Sequence, residues 1–137
     1  MKAILLAVLG IACSSSPGLE ALDPGLPVAV CLGSGLPVES LELAQEGWPT
    51  VYAGCEGDQV VNVWIHPLES EWNAIADKLD YSVIIDPSVL GPDPPNPLDI
   101  VIAHELGHLF GGVHTEGDCD LMRWNGPAPG CEVIIYP

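Results

Sequence analysis

The chain has 137 residues, 48% hydrophobic and 16% charged, with 15 Gly and 14 Pro. That suffices for one folded domain and excludes a disordered acidic tail and a fibrous repeat. Nineteen Asp and Glu face three Lys and Arg, a formal charge of −16, so no basic stripe exists to hold nucleic-acid phosphates or anionic lipid head groups.

Met1 and Lys2 precede the apolar run Ala3 to Ala12, which is far shorter than the roughly 20 residues of a membrane span and reads as a secretory signal over residues 1–12. Cys13 follows, then Ser14, Ser15, Ser16, Pro17 and Gly18. With Ala12 before the cysteine this resembles the lipid-attachment box of bacterial lipoproteins, although Gly10 stands where that box usually has Leu. Residues 13–26 are therefore expected to be a lipid-attachment cysteine and tether, and an ordinary signal peptide cleaved near Ser16 is the alternative. Five cysteines in an exported chain leave one without an intramolecular partner, and acylation of Cys13 removes the oddity. Cys31, Cys55, Cys119 and Cys131 can pair in three ways. Nearness in sequence suggests Cys31 with Cys55 and Cys119 with Cys131.

The domain is expected over 27–137. Val28 to Leu32 reads as a buried strand and Val38 to Glu46 as a short helix. Thr50 to Ala53 and Val60 to Ile65 read as two strands joined by a turn, and Leu68, Trp72, Ile75 and Leu79 as the apolar stripe of an amphipathic helix. Ser82 to Ile85 is a further strand, and the four prolines between Gly91 and Pro97 make a rigid loop. A helix from Pro97 to Phe110 follows, with Asn96 as its cap, Pro97 in its first position and Asp99 in its first turn, closed by Gly111 and Gly112. Glu132 to Tyr136 is strand-like.

Within that helix stand His104, Glu105 and His108, and beyond its end His114. Histidines at i and i+4 lie one above the other, about 6 Å apart along the axis, so both can reach one ion. A left-handed Gly111 turns the chain so that His114 becomes a third ligand. Three neutral nitrogens leave a fourth zinc position for water, whose pKa such an ion lowers toward ~7. Glu105 is rotated by about 100° from His104 and can take that water's proton.

The run His104-Glu105-Leu106-Gly107-His108-Leu109-Phe110-Gly111-Gly112-Val113-His114 resembles the signature of the metzincin clan of zinc endopeptidases. Met122, eight residues after His114, resembles the methionine of that clan's turn in its matrixin branch, where it floors the metal site. The resemblance implies an α+β, zincin-like fold: a small mixed sheet packed on the active-site helix, here with a shortened C-terminal part. It is specific over Asp99 to Trp124. Arg123 and Trp124 stand where matrixins often have tyrosine and proline, so no phenolic ligand is expected there. His66 is the only other histidine, too few for a second, structural zinc site.

Glu116, Asp118 and Asp120 could bind calcium, although a solvated acidic loop is the ordinary reading. Trp48, Trp64, Trp72 and Trp124 are expected in core or cleft wall. The expected function is zinc-dependent endopeptidase action on proteins of the cell envelope or outside the cell, by a monomer whose one catalytic zinc is held by His104, His108 and His114. The alternative is an inactive zinc-binding envelope lipoprotein that binds a partner. Retention of Glu105 separates them, since a structural zinc site has a fourth protein ligand and no need of a base.

Overall fold

β-branched runs build the sheet. The computed structural model describes residues 20–69, 72–94 and 96–136; the signal segment, Cys13 and the tether as far as Leu19 lie outside these residues. Strands β1 (Val28–Leu32), β2 (Val51–Ala53), β3 (Val60–Ile65), β4 (Ala74–Asp77) and β5 (Ser82–Ile85) form one sheet in the order β2-β1-β3-β5-β4. All pairs are parallel except β4 with β5. Alternation along the strands sends Val28, Val30, Val61, Val63, Val83 and Ile85 into the core, as side chains two apart share a face. Two helices pack there, α1 (Glu42–Gly47), entered through a 3-10 turn at Val38–Leu41, and α2 (Leu98–Leu109). Leu41 from the 3-10 turn, Ala44 from α1 and Trp48 just after it meet Ile102, Leu106 and Leu109 of α2 in the core. The molecule is a small α+β domain with a mixed sheet, and among the described residues no helix is long and apolar enough to cross a membrane.

Five expectations change. The strands at Val51–Ala53 and Val60–Ile65 are not partners: β1 lies between them and pairs with both. Parallel neighbours cannot be joined by a tight turn, so the loop 54–59 crosses over β1. It is held there by Gly54 N–H on the Val30 carbonyl at 3.0 Å and Ala29 N–H on the Gln59 carbonyl at 2.9 Å. The stripe Leu68, Trp72, Ile75, Leu79 is not a helix, because Ala74–Asp77 pairs with β5 as an edge strand. Leu79, 52% exposed, is not part of a buried face; four apolar residues at mixed spacing cannot distinguish the two periods. Pro97, not Asn96, occupies the cap position of α2, without a side-chain cap. The Asn96 amide instead donates to the Asn125 carbonyl at 3.0 Å. Glu132 to Tyr136 is not a strand and makes a single bridge, Asp120 with Ile134. The stretch read as a tether also reaches the core at its end, where Leu22 is buried and its N–H meets the Leu109 carbonyl at 2.8 Å.

Disulfides join Cys31 to Cys55 and Cys119 to Cys131. Such bonds belong to a chain folded in an oxidising environment. The first pins the crossing loop to β1. Replacing Cys31 and Cys55 together by alanine is expected to cost about 2–5 kcal/mol, read as a lower midpoint in denaturant unfolding; an unchanged midpoint would mean that the loop's hydrogen bonds suffice.

Candidate metal centre

The site is carried by α2 and the two turns that follow it. Leu106 and Leu109 anchor one side of α2 in the core, which directs His104 and His108 to one flank. The helix stops because Gly111 adopts φ +98°, a conformation costly for residues with a Cβ. Gly112 N–H then closes onto the Gly107 carbonyl at 2.8 Å, and His114 returns over the helix end. The three imidazole centroids lie 5.0, 5.3 and 4.8 Å apart for the pairs 104–108, 104–114 and 108–114. Their nearest ligand nitrogens are all within 4.8 Å of one another.

Backbone carbonyls orient two of the rings. Nδ1 of His104 lies 2.8 Å from the Leu121 carbonyl, and Nδ1 of His108 lies 3.0 Å from the Gly112 carbonyl. A carbonyl can only accept, so each Nδ1 carries the proton and each Nε2 keeps its lone pair. Metal-binding histidines are characteristically fixed in this way. Burial also favours neutral imidazole: it lowers His104 and His114, and it pushes His108 down to about 4, helped by the neighbouring His104 charge. The donor set therefore fits a divalent metal ion at neutral pH. Three imidazole nitrogens with no thiolate suit zinc and several other transition ions.

Met122 is buried at 7% exposure, packed against the helix at Gly107, where a Cβ would collide with its sulfur. Thr115 N–H donates to the Met122 carbonyl at 3.0 Å, which ties the His114 strand to the methionine turn. The same turn thus packs Met122 against α2 and, through the carbonyl of Leu121, orients His104.

Glu105 is buried beside this cluster, and desolvation pushes its carboxyl up to about 8. In the metal-free protein the folded form therefore retains a proton that the unfolded form releases. This contribution to stability is complete below pH 4.5 and is lost as pH rises toward about 8. The lowered histidines act in the opposite sense, because their contribution is lost as pH falls below 6.5. Between pH 6.5 and 8 the Glu105 loss proceeds alone among these four groups, so denaturation midpoints of the metal-free protein should fall there, with a smaller fall in Glu105→Gln. Equal slopes would contradict the burial of this carboxyl.

The structure gathers His104, His108 and His114, with Glu105 buried next to His104 in the chain and Met122 packed at Gly107 of the same helix, and it leaves the other candidates apart. His66 is exposed at the end of β3. The acids of the loop do not converge: Asp120 is buried and accepts from Gly117 N–H at 3.1 Å, whereas Glu116 and Asp118 are exposed. Trp48 is core, stacked on Phe110 at 4.8 Å. Trp124, 66% exposed, stands edge-on to His114 at 5.4 Å and meets Trp72 at 6.4 Å, forming an aromatic wall beside the most exposed of the three histidines. Sequence reasoning missed the orienting carbonyls of Leu121 and Gly112, for which residue identity carries no signal. It also missed the seat at Gly107, which a glycine inside a helix does hint at. No protein-family model matches the chain, and no curated protein matches it.

Proposed function

We propose that this protein is an exported zinc endopeptidase. The observation that carries the reading is the convergence of three neutral histidines, two of them tautomer-fixed, with a buried carboxyl that is the immediate neighbour of one of them. The resemblance of residues 104–114 and Met122 to the metzincin clan, in its matrixin branch, points the same way, as does a mixed sheet preceding the helix. His104, His108 and His114 would hold the ion, which when bound supplies Lewis-acid polarisation of the scissile carbonyl and of water. With the ion's charge nearby holding its carboxyl ionised, Glu105 would accept the proton of the attacking water as the water oxygen bonds to the carbonyl carbon. It then delivers that proton to the leaving amine as the C–N bond breaks. Edge strand β4 offers its free side to an extended substrate chain, which main-chain hydrogen bonds would orient.

Digestion of an unstructured protein by the zinc-loaded domain, followed by mass spectrometry of the fragments, tests the reading. Fragments that disappear on chelation are expected. An intact substrate after verified zinc loading would favour a zinc-binding module over an enzyme.

The same reading places the protein in the cell envelope, anchored by lipid at Cys13, with an odd cysteine count and two internal disulfides as support. A radioactive fatty acid should label the wild type and not Cys13→Ser. Equal labelling of both, or of neither, removes the anchor.

A further inference from the structure

Between the start of α2 and the loop after Met122 lies a cavity of about 400 Å³ that the three histidines do not line. One wall is the start of α2, with Pro97 and Ile100; the other is the loop after Met122, with Arg123, Asn125 and Val133. Ile100 precedes His104 by one helical turn, about 6 Å of axis, and Arg123 adjoins the methionine turn, so the cavity borders the place where a peptide bond would be held.

Arg123 and Lys78 are the only cations beyond Lys2, against nineteen acids. With acids so abundant, an arginine would be expected to pair with one. Yet Arg123 is half-buried, and its side chain's only hydrogen bond among the described residues is a long one, from Nη1 to the Gly126 carbonyl at 3.4 Å. Guanidinium has five N–H donors in a fork that matches a carboxylate, and among the described residues only one of them has a partner. Asn96 is committed to the Asn125 carbonyl and braces the two walls against each other. Pro97, Ile100 and Val133 supply apolar surface for a short methylene stem.

We infer that Arg123 makes this cavity a subsite for an acidic side chain, Asp or Glu, of a residue next to the scissile bond. The location rests on the endopeptidase reading, whereas carboxylate binding by the cavity does not. Selection is local, because the net charge repels acidic peptides at long range and added salt screens that repulsion.

The test has two arms. In the first, cleavage of a peptide library by the zinc-loaded protein is mapped by mass spectrometry. Asp and Glu should be preferred over Gln at one flanking position by about tenfold, with the preference lost in Arg123→Gln and turned toward Lys in Arg123→Glu. Cleavage without charge preference at any flanking position overturns the inference and leaves the endopeptidase reading standing. In the second arm, N-acetylglutamate N-methylamide is titrated into the protein while the Arg123 side-chain N–H resonance is followed by NMR, with the glutamine analogue as neutral control. A shift for the acid alone, absent in Arg123→Gln, supports the subsite even if nothing is cleaved; no shift, together with no cleavage, overturns both readings. Should Arg123→Glu fail to fold, the glutamine variant carries both arms.

Discussion

Glu105→Gln is expected to lower peptidase activity by at least roughly 100-fold while zinc content stays at the wild-type level. The amide keeps the size and position of the carboxyl but cannot accept a proton at neutral pH, and a general base typically contributes about 10²- to 10⁴-fold. Zinc should stay because Glu105 leaves the ligand flank by one residue's rotation, and the three imidazoles approach one another without it. The fold should survive as well, since a neutral amide replaces a carboxyl that burial already pushes up to about 8. The measurement is initial rate against zinc per chain in the same preparations. Equal rates in both proteins would mean that Glu105 is not the base. Loss of zinc from the variant would mean that the carboxyl helps hold the ion, and the proposed division of roles would be wrong.

His108→Ala is expected to reduce zinc affinity by more than roughly 100-fold, the upper end of what replacing a ligand's supporting partner costs. His108 supplies the central contact of the cluster, with centroids 5.0 and 4.8 Å from the other two rings, and its Nδ1 is held by the Gly112 carbonyl. Two remaining imidazoles cannot close a three-nitrogen site. The turn itself should persist, because Gly111 N–H still meets the His108 carbonyl at 3.0 Å and Gly112 N–H the Gly107 carbonyl at 2.8 Å. These are main-chain bonds that the substitution leaves in place. Competition with a chromophoric chelator, alongside elemental analysis of wild type, gives the comparison. Zinc bound equally by both proteins would place the ion elsewhere.

Much of the site is legible in the chain because its parts are local. His104 and His108 need only helical spacing, Gly111 needs only its backbone freedom, and α2 is announced by the proline loop before it and the glycines after it. Three of the five strands, Val28–Leu32, Val60–Ile65 and Ser82–Ile85, are read with their bounds because their runs are short, apolar and β-branched. The segment at Ala74–Asp77 is misread because its pairing partner, not its own periodicity, determines its conformation. The pairing of β2 and β3 with β1 is likewise invisible: adjacency in sequence favours a hairpin, and only the sheet order shows that a strand lies between them.

By itself the sequence determined that the chain is strongly acidic, that its cysteines suit an oxidising compartment, and that three histidines stand within reach of a common centre. These follow from composition and from geometry within about ten residues. The two disulfides are the pairs that nearness in sequence suggested, whereas tertiary structure alone decided which carbonyls orient His104 and His108, and that Met122 seats on the bare backbone of Gly107. It alone set Arg123 in the wall of a cavity between the start of α2 and the loop after Met122. The physical reason is separation along the chain: Leu121 meets His104 across 17 residues, and such a contact is fixed by how a shared core closes, not by any local preference of the residues that make it.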